Sequence, residues 1–134
     1  MMSLITVSTN TKVELQNITK SVQDAVNSAR IDAGICYLFV PHTTAAIVLA
    51  DQSDNRIIED IANQLENIVP PHGHYQHPEG NSPAHIKASL YENSMTLLIQ
   101  GGGLILGIWQ GIFFCEFDGP KTRNVYVKIL PDSR

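Results

Sequence analysis

The 134-residue chain is 43% hydrophobic and 16% charged, with a formal net charge of −4. That balance belongs to soluble globular proteins and excludes a disordered chain. It also argues against general nucleic-acid binding, which asks for a basic face. No apolar run reaches the ~18 residues of a membrane span. The amino terminus, MMSLITVSTN, has neither a basic start nor a long apolar stretch, so a cytoplasmic location is expected. Residues 1–134 are expected to form one domain, long enough to bury its own core.

In chain order, SLITVST and KVELQ alternate or are β-branched and predict two strands. Ile18, Val22, Ala25, Val26 and Ala29 recur at helical spacing, with Thr19 as a candidate cap and Gly34 beyond the end. GICYLFV and TAAIVLA predict strands separated by Pro41-His42-Thr43. A second helix follows, with Ser53 as its expected N-cap, Ile57, Ile58, Ile61, Leu65 and Ile68 as its buried stripe, and Pro70-Pro71 as its stop. The segment from Tyr75 to Leu90 reads as a loop rich in histidine. After it, MTLLI, LILGIWQ, GIFFCEF and RNVYVKIL predict consecutive strands. Strands dominate, two helices interrupt them and no βαβ alternation appears. The expected fold is α+β, an antiparallel β-sandwich with two helices.

Some signals favour plain structure. Gly101-Gly102-Gly103 lacks the lysine and hydroxyl residue of a phosphate loop, and Leu106 breaks the dinucleotide glycine pattern, so a hairpin turn is expected. Cys36 and Cys115 sit in apolar runs and are expected to be buried thiols. His72 and His74 are expected to be exposed loop residues.

Three groups are candidates for chemistry. His77, Glu79, Asn81 and His85 fall within nine residues, in a segment stiffened by Pro78 and Pro83. His42 follows a proline at a strand break, and His42, His77 and His85 could together ligate zinc, although their spacing matches no standard signature. In EFDGPKTR, Glu116 and Asp118 share a face of a strand; with Phe117 in the core, the two carboxylates are expected to face solvent or a subunit boundary. Two carboxylates suit Mg²⁺, while Lys121 and Arg123 suit phosphate oxygens; a simple solvated turn is the alternative. Trp109 and Gln110 are either core or a stacking wall with an amide that reads a heterocycle.

Four motifs, HTTAA, HPEGN-x-x-AH, LG-x-WQG and EFDGP-x-x-R, resemble the YjbQ family in the same order over nearly the whole chain. Members of that family are described as secondary thiamine-phosphate synthases. The resemblance implies a compact α+β domain around a β-sandwich, a homotrimer with its polar pocket near subunit boundaries, and a weak thiamine-phosphate synthase activity. The positions it carries over are His42, Thr43, His77, Glu79, Asn81, His85, Trp109, Gln110, Glu116, Asp118 and Arg123. Three positions depart from the family pattern. Ile108 replaces a serine or threonine, Lys121 replaces an arginine, and ADQSDN lacks a glutamate while Asp54 keeps the aspartate.

Three functions follow as expectations. The first is a transferase for a small phosphorylated substrate. In it Glu116, Asp118 or Glu79 would hold Mg²⁺, and Lys121 and Arg123 would neutralise phosphate. Trp109 would pack on a ring, and His42 or His85 would carry a proton. The second is a zinc hydrolase on His42, His77 and His85. The third is a binder of a phosphorylated metabolite without catalysis.

Overall fold

The computed structural model describes residues 2–133. In chain order its elements are β1 (Met2–Ser8), β2 (Glu14–Asn17), α1 (Thr19–Ala29), β3 (Gly34–Phe39), β4 (Ala45–Asp51), α2 (Asn55–Ile68), α3 (Ser82–Leu90), β5 (Ser94–Gln100), β6 (Gly103–Leu104), β7 (Gln110–Glu116) and β8 (Thr122–Pro131). Five strands form one sheet in the order β1-β8-β3-β5-β6, and three form another in the order β2-β7-β4. Every strand pair is antiparallel. The α+β sandwich expected from the sequence is what forms.

The core follows from the period of two along each strand. Cys36 and Leu38 of β3 and Val125, Val127 and Ile129 of β8 point inward from the larger sheet. They meet Ala45 and Ile47 of β4 and Ile112 and Phe114 of β7, with Val22 and Val26 of α1 in the same cluster. The other face of β7 presents Cys115, followed by Phe117, to Leu65 of α2 and Ala84 of α3. The smaller sheet is thus covered on both faces. The larger one leaves its outward residues Leu4, Tyr37, Phe39, Leu98 and Tyr126 exposed.

Four local readings need correction. Gln110 starts β7, whereas the preceding LILGIW stretch gives only Leu104 to the two-residue β6 and then turns, because Gly107 and Gln110 close on each other. The N-cap of α2 is Asp54 instead of Ser53: its carboxylate accepts from the Arg56 N–H, a bond a neighbouring serine is not placed to make. Ile68 is 67% exposed, and Val69, four residues after Leu65, is buried in its place. Among the described residues there are three helices, because Asn81 and Pro83 start α3 inside the expected histidine loop. Two readings hold. Gly101 and Gly102, both at positive φ, make the tight turn between β5 and β6, and Cys36 and Cys115 are buried free thiols, with burial pushing Cys36 up to about 11.

Phe114 is fully buried between the sheets. Replacing it with alanine is expected to cost about 3–5 kcal/mol, seen as a lower urea midpoint. A loss under about 1 kcal/mol would mean that the sheets do not pack through this residue.

Candidate functional site

The strand period decides the place of Glu116. It lies two residues beyond Phe114 on β7, so it projects between the sheets at the end of the sandwich. Arg123 lies two residues before Val125 on β8 and projects into the same space from the other sheet. Glu116 is 0% exposed and Arg123 is 5% exposed. They form a two-pronged ion pair, with Nε to Oε1 at 2.8 Å and a terminal nitrogen to Oε2 at 2.5 Å. The Thr9 hydroxyl donates to Oε1 at 2.9 Å, and the Asp118 N–H donates to Oε2 at 3.0 Å. Arg123 also donates to the Thr44 hydroxyl at 2.7 Å. Burial opposes the charge of Glu116, but these donors prevail and hold its carboxyl below the usual range. Glu116 and Asp118 do share a parity, as expected. The face they share is the inter-sheet one, so Glu116 does not look onto solvent. With both oxygens engaged, it is a poor metal ligand.

His42 stands beside this pair. Its Nε2 accepts from the Asn124 N–H at 3.0 Å, so in the neutral ring Nδ1 carries the proton. Burial, then the Arg123 cation, hold the imidazole below its ordinary value, against the opposing pull of the Glu116 charge. At neutral pH His42 is therefore an uncharged Nδ1–H donor. Thr43 is exposed next to it, while the neighbouring Thr44 is buried. Sequence reasoning chose Thr43 and passed over Thr44 and Thr9; the only signal for these two was a hydroxyl at the end of an apolar strand.

Asp118 leads out of the buried pair. Its side chain is 18% exposed and takes three partners: Asn81 Nδ2 at 3.0 Å, Lys121 at 3.0 Å and Lys12 at 3.4 Å. Burial raises its pKa, but the Asn81 amide and the two lysines outweigh that and bring it down to about 2. The following turn is held against the β1–β2 loop. The Gly119 N–H donates to the Lys12 carbonyl at 2.9 Å, and a Cβ on Gly119 would lie 2.3 Å from the Thr11 carbonyl oxygen. Only glycine fits there.

The histidine segment divides. His77 and His85 stack edge to face with centroids 5.4 Å apart, and His77 Nε2 lies 3.9 Å from Glu79. Asn81 turns the other way, toward Asp118. Among the described residues no group of three or more His, Cys, Asp or Glu is placed to hold a metal. The expected set of His42, His77 and His85 is thus not assembled within one chain: His85 rides on α3, whereas His42 is tied to β8. Sequence reasoning also missed Lys87 of α3, 2% exposed and paired with Glu66 of α2. A lysine within AHIKASL, on the face shared with Ala84, was the available signal.

Trp109 and Gln110 lie elsewhere. Gln110 opens β7 and Glu116 closes it, so about 20 Å of strand separates them. Trp109 is 59% exposed and Ile108 is 82% exposed, together at the tip of a turn. The Gln110 side-chain carbonyl accepts from the Gly107 N–H at 2.8 Å, so that oxygen closes its own turn instead of facing a ligand.

Residues 3–132 match the family model described as UPF0047 protein YjbQ-like. The chain belongs to this family. A UPF0047 protein of Methanocaldococcus jannaschii is 44% identical over 126 residues, covering 94% of this chain and 91% of its own. The UPF0047 protein YugU of Bacillus subtilis is 36% identical, over 97% of this chain and 99% of its own. The YjbQ-like fold is shared with a crystal structure from Clostridium acetobutylicum at a TM-score of 0.93 and 42% identity, covering 96% of this chain and 99% of that one.

Replacing Arg123 with methionine strands the Glu116 carboxylate and is expected to cost about 3–5 kcal/mol, much of it recovered when Glu116→Gln is added. Chemical denaturation of the single and double variants measures this. Asp118 has a folded pKa below its ordinary 3.8, so its contribution is present above that value and lost as pH falls through about 2. The Asp118→Asn variant should therefore show a flatter stability curve over that acid window.

Proposed function

We propose that the chain is a thiamine-phosphate synthase-like transferase, working as a cytoplasmic homotrimer with each site completed by a neighbouring subunit. The observation that carries this reading is the group of Asp118, Lys121, Lys12 and Asn81, set beside the neutral His42 at the end of the sandwich. The reaction joins the ring nitrogen of a thiazole phosphate to the methylene carbon of a pyrimidine-methyl diphosphate. The new C–N bond forms as the C–O bond breaks, and diphosphate leaves with the electron pair. Such a step needs cations on the leaving group more than a protein nucleophile. Lys121 and Lys12 supply mobile charge, and the His42 Nδ1–H supplies a hydrogen bond. Arg123 acts by holding Glu116.

The residues of one chain do not fit a protein-held magnesium. Glu116 is saturated, Asp118 already carries two lysines and Glu79 stands apart with His77. A zinc hydrolase has less support, since its three histidines do not converge within the chain.

Support for the assembly comes from two features. Leu4, Tyr37, Phe39 and Tyr126 form an uncovered apolar sheet face of the kind that subunits bury. Trp109 is exposed and too far from Asp118 within one chain to act with it, so a ring-packing role requires a second copy.

Incubating the purified protein with both substrates and Mg²⁺ is expected to yield thiamine phosphate, with Asp118→Asn reduced about 10²-fold. Light scattering should give three chains per particle. Mixed assemblies of Trp109→Ala and Asp118→Asn chains should regain activity at about one quarter of their sites. Tight binding of both substrates without product would leave a binder in place of the transferase, and product without complementation would confine the site to one subunit.

A further inference from the structure

Between α2, α3 and the Thr11–Val13 loop lies a cavity of about 680 Å³, a size common among small-molecule sites. Two polar groups in its wall lack full partners. Lys87 is 2% exposed. One of its three N–H groups meets Glu66, and the Phe117 ring centroid lies 6.0 Å from its nitrogen. Donor capacity is left for an acceptor inside the cavity. Asn81 has the opposite need. A carboxylate only accepts, so the Asn81 NH₂ faces Asp118 and the carbonyl is turned away from it. That carbonyl oxygen is buried and has no hydrogen-bond partner among the described residues.

Both groups belong to α3. Asn81 is its N-cap, and Lys87 lies six residues on, about 9 Å along the axis. Helix side chains lean toward the N-terminus, which brings the ammonium back toward Asn81. Glu66 is already paired with Lys87, and Lys12 adds a second cation to the wall. Val13, Pro83, Ala84 and Phe117 supply apolar lining.

We infer that this cavity binds a small organic anion, its carboxylate or phosphate group on Lys87 and a hydroxyl or amino donor a few bonds away on Asn81 Oδ1. The inference does not rest on the transferase reading. It asks only for a ligand that presents acceptor and donor at that separation.

Calorimetric titration of the full chain tests it with four probes. Glycerol 3-phosphate and glycerate carry an anion and hydroxyls, whereas propyl phosphate and butyrate carry the anion alone. At least one hydroxylated probe should bind about tenfold or more tightly than its plain counterpart, and the pair that shows this identifies phosphate or carboxylate as the anionic group. Asn81→Ala should erase the preference for hydroxyls, and Lys87→Met should weaken both members of the pair about tenfold or more. Ala62→Trp, which fills the cavity from α2 and leaves every polar group in place, should block binding even if Lys87→Met fails to fold. The inference is overturned if no probe binds below about 10 mM, if hydroxyls bring no preference, or if the filled cavity binds as well as the open one. Turnover plays no part in this readout, so its failure is distinct from failure of the transferase assay.

Discussion

One buried carboxylate organises this end of the molecule. Glu116 arrives between the sheets because β7 keeps its alternation to its last residue, and a lone charge there would be costly. Arg123, arriving from the other sheet by the same rule, supplies the countercharge with two parallel bonds. Thr9 from the end of β1 and the Asp118 N–H from the following turn complete the shell around the carboxylate. An apolar pair of similar volume could serve stability as well. What the ion pair provides is location, since the Thr9, Thr44, Glu116–Asp118 and Arg123 segments must converge to satisfy it.

Everything polar around it inherits that geometry. Thr9 also accepts from the Lys121 N–H, which sets where the Lys121 side chain begins. Glu14 accepts from the Asn10 and Thr11 N–H groups and fixes the loop that carries Lys12. Those two lysines and Asn81 then keep Asp118 ionised, while Arg123 helps to keep His42 neutral. The buried pair thus acts on the charge of His42 through Arg123, while Asp118 takes its charge state from Asn81 and the two lysines. Division of this kind suits a site that must be preorganised before a ligand arrives.

The sandwich was legible because its strands alternate cleanly and its hairpin glycines have no other good use. The motifs were legible as residue types, and Asp118, Asn81 and Lys121 do meet. The solvent exposure expected of Glu116 was not, for a reason of register: parity says which residues share a face, but only the partner sheet says whether that face is covered. Helix α3 was hidden because histidine, proline and asparagine look like loop chemistry, although Asn-x-Pro is also a way to start a helix. Lys87 was missed because an isolated lysine ordinarily marks a solvated face. Its burial depends on Glu66, 21 residues earlier on another helix.

The length of β7 sets the remaining constraint. Its first residue follows the exposed Ile108-Trp109 tip, and its last is the buried Glu116, so a rigid strand holds the two motif ends apart. No side-chain rotation closes a gap of about 20 Å. Bending β7 would break its register with both β2 and β4, which pair with it on either side. If the tip and the lysine cluster serve one ligand, the contact must come from another molecule of the same chain. The uncovered aromatic face of the larger sheet gives such a molecule a surface to sit on. Ile108 adds only apolar surface to that tip. The polar recognition then falls to the end of the sandwich, where Glu116 has already placed it.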